Sequence, residues 1–191
     1  MTTIENLNYD VKTIENASET SKEVLEQAKK AYGFVPNLLG TMANHPALLK
    51  NYWEGSANLG ENSTLSAKEQ QVAYLAASYE NNCHYCMAAH TSIGQMHKID
   101  QSILDALRTG TPIPDARLEA LSQYVKATTI SRGRVSQEDI NAFLEAGFTQ
   151  ENVLEVITIV SLKVMTNYIN YVAQTKVDSA FEPNAWEKLM V

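Results

Sequence analysis

Thiols are scarce in this chain of 191 residues, which has two cysteines, Cys83 and Cys86. Two are too few for the disulfide framework of a small secreted scaffold. In a chain of this kind a Cys-x-x-Cys pair belongs more often to catalysis or metal binding in the cytosol than to a structural crosslink. Basic charge is also short. Fifteen Lys and Arg stand against 22 Asp and Glu, a formal charge of −7, and the basic residues are scattered. The cationic patch that a phosphate backbone requires is therefore missing, which excludes nucleic acid as the main partner. No long apolar run occurs. The richest stretch, Val153 to Met165, is interrupted by Glu155, Thr158, Ser161 and Lys163, which argues against a membrane span. The N-terminal "MTTIENLNYDVKTIENASET" is polar and acidic, unlike a secretory or transit peptide. Gly and Pro are not in excess, and neither a low-complexity tract nor a repeat at solenoid spacing is seen. These absences point to a cytoplasmic protein with one well-buried domain over residues 1–191.

What is present is helical patterning. Ser21 opens "SKEVLEQAKKAY", stopped by Gly33, and Pro36 leads into a short helix. Pro46 takes a first-turn position, where its missing N–H costs nothing. Ser66 with Glu69, and Ser136 with Asp139, read as capping boxes. Asp100 and Thr149 read as N-caps, and Gly110 and Gly147 as stops. The β-branched run "VLEVITIVSLKV" resembles a buried strand over a short window, but the length of its apolar pattern favours a helix reaching about Thr175. The expectation is an all-α fold of seven to eight helices, with a motif-bearing core over about 33–110 and C-terminal helices over 114–177.

Chemistry concentrates in "ENNCHYCMAAH", residues 80–90, which holds both cysteines and His90. Asn81-Asn82 reads as a helix end, so a new helix starts near Cys83. Its first-turn N–H groups favour a thiolate. Lowering a thiol pKa by about two units takes roughly 2.7 kcal/mol, within reach of a helix N-terminus plus one partner. Cys86 and His90, four apart, share a helix face, so an imidazole base is one such partner. Three residues of helix bring the Cys83 and Cys86 Cα atoms to about 5 Å, and a disulfide closing so small a loop adds little stability and is easily reduced. Zinc is the alternative, with His84 or His97 as fourth ligand, though a structural zinc site usually draws on two separated ligand pairs. Two inert core thiols are the bland alternative. Covalent haem attachment is excluded because Met87 stands where Cys-x-x-Cys-His needs histidine, and no βαβ context supports a thioredoxin fold.

"YENNCHYCMAAHT", with "LSAKEQQVAYLAAS" and "GFVPNLLGTMANHPALLKNYWEG" before it, resembles the AhpD-like alkylhydroperoxidases of the carboxymuconolactone decarboxylase family, in their peroxidase-related branch. The resemblance covers about residues 33–110. It implies an all-α homo-oligomer, whether dimer, trimer or hexamer, that reduces organic hydroperoxides without a cofactor. Its reductant is a dithiol protein, lipoyl-bearing or thioredoxin-type. It further implies that Cys86 is the peroxidatic thiol, Cys83 the resolving thiol and His90 the activating base. The family's relay often has glutamate twelve residues before the first cysteine, and Gln71 stands there. Glutamine orients but does not take a proton. Glu80 is the nearest substitute carboxylate, with Glu69 a second. Competing expectations are a non-enzymatic thiol redox sensor, a zinc-binding interaction protein, and a lactone decarboxylase, which in this family works without the cysteine pair.

Lys163, Asn167, Asn170 and Gln174 form a polar stripe at helical spacing. The simplest expectation is a solvated or subunit-facing stripe; the other is that Asn167 or Asn170 lines the thiol pocket. His84 between the cysteines reads as exposed or as tuning the thiols.

Overall fold

The computed structural model describes residues 7–188. Among them the chain forms α1 (Glu19–Tyr32), α2 (Asn37–Met42), α3 (Pro46–Asn62), α4 (Ala67–Glu80), α5 (His84–Met96), α6 (Gln101–Thr109), α7 (Ala116–Ser131), α8 (Gln137–Glu145) and α9 (Gln150–Ala173). A single 3-10 turn follows at Glu182–Asn184, and no strand is present among the described residues. The fold is all-α, with nine helices among the described residues against the seven to eight expected. All but the six-residue α2, the short helix expected after Pro36, are longer than six residues.

Local rules place most of the ends. Both capping boxes form, at Ser66/Glu69 and Ser136/Asp139, and a third forms at Thr149/Asn152. α1 begins earlier than Ser21: Ser18 caps it, and Ser21 lies inside, donating its hydroxyl to the Ala43 carbonyl. His45 caps α3 with Nδ1 and Pro46 follows at the first turn. At Gly110 φ is +74°, and an added Cβ would run into the Tyr79 ring and hydroxyl, so glycine is required twice over. α2 has no cap of its own, because Pro36 precedes it. The Asp178 carboxylate, from the C-terminal segment, accepts the Asn37 N–H instead at 3.0 Å.

Two apolar clusters share α9 as their common wall. The larger joins α4, α6, α7, α8 and α9, with Phe143 stacked between Tyr124 and Phe148 at centroid distances of 4.3 and 4.4 Å. The smaller joins α1, α2 and α3 to the first turn of α5, and it contains Cys83, Tyr85 and Cys86. α9 is 24 residues long and, by length and composition, apolar enough to reach across a bilayer. Its buried face, however, includes Lys163, Thr166, Asn167 and Asn170, while Leu154, Ile157, Tyr168, Tyr171 and Val172 face outward. The N-terminal half of the helix buries Val156, Ile159 and Val160 in the ordinary way, whereas the half from Lys163 onward turns a polar stripe inward and Tyr168, Tyr171 and Val172 outward.

Candidate active site

The thiol site begins as a helix-to-helix turn. Asn82 takes φ +50°, a left-handed conformation that asparagine tolerates. Its N–H bonds to the Tyr79 carbonyl and the Cys83 N–H to the Ser78 carbonyl, closing α4 in a Schellman arrangement. Cys83 is then also the N-cap of α5, with Sγ accepting the Cys86 N–H at 3.4 Å. One residue therefore ends one helix and starts the next, which fixes both sulphurs at the α5 N-terminus. Tyr85 anchors the turn from the other side, donating its hydroxyl to Asp178 at 2.5 Å. His84 Nδ1 lies 2.8 Å from the Trp186 carbonyl, so it holds the C-terminal segment and is neither exposed nor placed on the thiols.

Both thiols are buried, Cys83 at 5% and Cys86 at 2% exposure. α9 supplies their polar surroundings. The Asn170 amide donates to Cys86 Sγ at 3.2 Å and to Cys83 Sγ at 3.7 Å. Burial pushes the Cys86 thiol up, but the Cys83 hydrogen bond, the Lys163 charge and the Asn170 and Asn167 amides outweigh it, pulling the pKa down to about 5. Cys83 moves the other way. Its hydrogen bond to Cys86, then burial, hold it protonated. The pair thus divides into one thiolate and one thiol.

His90 is brought to this site, but its ring is not on a sulphur. Nδ1 lies 2.9 Å from Gln71 Oε1, and Nε2 lies 2.8 Å from Lys163 Nζ. The ring stacks on Tyr74 at 4.8 Å. Burial, then the neighbouring ammonium, lower its pKa well below 6.5, so it is neutral. Nε2 accepts from Lys163, and the proton sits on Nδ1, donated to Gln71. The i, i+4 spacing put Cys86 and His90 on neighbouring turns, yet α4 and α9 hold the imidazole away from the thiol. This arrangement also disfavours the zinc alternative, since the nitrogen that would ligate a cation faces an ammonium. Gln71, at the position of the family's relay glutamate, lies against the histidine. Glu80 ends α4 and makes no side-chain hydrogen bond among the described residues, and Glu69 is engaged by Ser66 and Arg117 away from the thiols. Neither carboxylate is gathered into the site.

The polar stripe of α9 corrects the simplest sequence expectation. Lys163, Asn167 and Asn170 are buried, and Asn170 touches both thiols. A cavity of about 580 Å³ opens beside them. Cys86, His90, Gln71 and Lys163 form its polar part, and the rings of Tyr52, Tyr74, Phe34 and Phe181 line its walls. Cys83 is not in the lining. Sequence reasoning missed Asp178 and Phe181, which reach the site from a segment without helical periodicity.

An all-helical fold built around a buried Cys-x-x-Cys pair at a helix N-terminus defines the class of protein. Residues 46–126, from α3 through most of α7, match the Carboxymuconolactone decarboxylase family. Over those residues the chain is similar to that family, and its fold is AhpD-like. A comparison with curated proteins returned no match. Among solved structures, an AhpD-core, peroxidase-related protein from Ralstonia eutropha JMP134 is 21% identical, covering 91% of this chain and 93% of its own, with a TM-score of 0.82. A peroxidase-related protein from Silicibacter sp. TM1040 is 18% identical over 95% and 96%, with a TM-score of 0.79. The debrominase Bmp8 is 15% identical over 87% and 90%, with a TM-score of 0.74. Likeness at these identities concerns the fold.

Proposed function

We propose that the protein is a thiol-dependent peroxidase that reduces organic hydroperoxides through a Cys83–Cys86 disulfide. The observation that carries this reading is the asymmetric placement of the pair: Cys86 lines the cavity with the Asn170 amide on its sulphur, while Cys83 sits behind it, out of the lining. The same surroundings favour the thiolate at Cys86 and the thiol at Cys83. The Cys86 thiolate attacks the hydroperoxide oxygen, forming an S–O bond as the O–O bond breaks, and leaves a sulfenic acid and an alkoxide. Cys83 then condenses with the sulfenic acid, forming the disulfide and releasing water. A dithiol partner, lipoyl-bearing or thioredoxin-type, attacks Cys86 from the cavity and restores both thiols. No cofactor enters this cycle. Support for a homo-oligomer comes from the apolar outward face of α9.

A second reading rests on the aromatic walls of the cavity, which suit a flat ring. The debrominase of this fold has also been seen with 2,3,4-tribromopyrrole bound. The same thiolate attacking bromine in place of oxygen forms an S–Br bond as the ring C–Br bond breaks, and the ring carbon keeps the electron pair and takes a proton. Cys83 then displaces bromide from the sulfenyl bromide, losing its own proton, to give the same disulfide.

One experiment separates these. Reduced protein, Cys86→Ser and Cys83→Ser are each mixed with cumene hydroperoxide or with a bromopyrrole, and peroxide loss and bromide release are followed. Peroxide loss abolished by Cys86→Ser, and halted after one oxidation in Cys83→Ser, supports the peroxidase. Bromide release without peroxide loss supports the second reading. Peroxide loss at the parent rate in Cys86→Ser overturns the assignment of the attacking thiol.

A further inference from the structure

The cycle above leaves an alkoxide in an apolar cavity, and that anion needs a proton. His90 is poorly suited to supply it. The ring is neutral, its Nδ1–H is committed to Gln71, and Nε2 has a lone pair and no proton. Lys163 is the cation of the site. It is 3% exposed, and among the described residues no carboxylate lies within 4.0 Å of its Nζ. Its ammonium has three donors, and His90 Nε2 takes one of them. The Tyr74 ring, with its centroid 5.8 Å away, adds a weak attraction. A buried ammonium without a counter-charge is costly, so the chain must supply an anion nearby or the site is unstable. The available anion is the Cys86 thiolate: Cys86 and Lys163 line the same cavity, and the Lys163 charge helps to lower the thiol's pKa.

We infer that Lys163 is the acid of the thiol cycle: its ammonium balances the Cys86 thiolate at rest and protonates the alkoxide that leaves when Cys86 attacks. This rests on the peroxidase reading. The charges close. At rest the site holds one thiolate and one ammonium. After attack, Cys86 is a neutral sulfenic acid, the alkoxide has taken a Lys163 proton to become the alcohol, and Lys163 is a neutral amine. Condensation with Cys83 adds only water. No uncompensated charge is buried at any stage. When a dithiol reduces the disulfide, its two protons return to Lys163 and Cys83 as Cys86 leaves as thiolate. His90 and Gln71 are positioning residues, holding the ammonium by one hydrogen bond and fixing the tautomer that lets it accept.

The tyrosines facing this pair stay neutral. Tyr52 on α3, Tyr74 on α4 and Tyr85 on α5 are held protonated, chiefly by burial. Cys83 is protonated, and α2 presents no titratable side chain. Glu155, about two turns before Lys163 on α9, is bound by Ser63 and Thr64.

The test uses Lys163→Met, which removes the charge while keeping the apolar stem, and Lys163→Arg, which keeps the charge but does not release a proton near neutral pH. Substituting a buried charge by an apolar group of similar volume is compatible with folding. The first readout is the pH profile of Cys86 alkylation by iodoacetamide, located by peptide mass, and it involves no peroxide. Lys163→Met is expected to raise the midpoint by about two pH units, leaving about tenfold less thiolate at pH 6. The second is the rate at which one equivalent of cumene hydroperoxide oxidises Cys86. Lys163→Arg is expected to keep the low alkylation midpoint yet slow this oxidation at least about tenfold. An unchanged alkylation profile in Lys163→Met overturns the counter-charge, and oxidation at the parent rate in Lys163→Arg overturns the acid. A parent protein that alkylates at low pH but ignores cumene hydroperoxide overturns the peroxidase reading and the acid role with it, while Lys163→Met still decides the counter-charge.

Discussion

Replacing Asn170 by alanine asks directly whether α9 sets the reactivity of Cys86. The lost contact is an N–H donor 3.2 Å from the thiolate and 3.7 Å from Cys83. A hydrogen bond to a charged group contributes about 1.5–3 kcal/mol and one to a neutral group about 0.5–1.5, so about 1–1.5 kcal/mol of preference for the thiolate is removed. At about 1.4 kcal/mol per pKa unit, the midpoint rises by about one unit from its value of about 5. Near pH 7 both proteins are almost fully ionised, so a neutral-pH assay shows little loss. At pH 5.5 the thiolate fraction falls about threefold. Above both midpoints the variant reacts faster, by a further two- to threefold, because nucleophilicity rises with pKa. Alkylation of Cys86 by iodoacetamide between pH 4 and pH 9 reports both effects. Folding is expected to tolerate the change, since Asn170 Oδ1 is buried without a hydrogen-bond partner and its loss removes that cost. A midpoint and a plateau both equal to the parent's would refute the role given to Asn170.

Three other outcomes are expected. Phe143→Ala opens a cavity between the Tyr124 and Phe148 rings and lowers stability by about 3–5 kcal/mol, read from the urea midpoint; a loss under 1 kcal/mol contradicts the packing described. Gln71→Glu sets a carboxylate against His90 Nδ1–H and favours the imidazolium, so His90 should titrate near neutral pH by NMR, whereas in the parent it stays neutral to well below 6.5. In the parent, His90 therefore adds stability that is lost as pH falls through 6.5 toward its lower folded value, and Cys86 adds stability present above about 9 and lost toward about 5. Leu154→Lys with Ile157→Lys charges the outward face of α9 and should convert a homo-oligomer to monomer in sedimentation velocity; a monomeric parent contradicts the proposed assembly.

Much of the local structure was legible because its causes are local. The capping boxes, Pro46, and the Asn81–Asn82–Cys83 turn each work through contacts within a few residues. The thiol motif and its position at a helix start were legible for the same reason. Lys163 and Asn170 were visible as a stripe, but periodicity gives the spacing of a stripe and not the side it faces. From Lys163 onward α9 buries Lys163, Asn167 and Asn170 and exposes Tyr168 and Tyr171, against the usual order. Spacing alone also overstated the Cys86–His90 pairing, because Gln71 and Lys163, from other helices, determine where the ring points. Asp178 was out of reach for a further reason. It caps α2 from 141 residues away and takes the Tyr85 hydroxyl, and no local pattern announces either bond.

The most direct measurement is the intact mass and free-thiol count of reduced protein after one equivalent of cumene hydroperoxide. The expected result is loss of both thiols and of two hydrogens per chain, a Cys83–Cys86 link in the peptide map, and full reversal by a dithiol. Two surviving thiols with the peroxide unconsumed would contradict the peroxidase function.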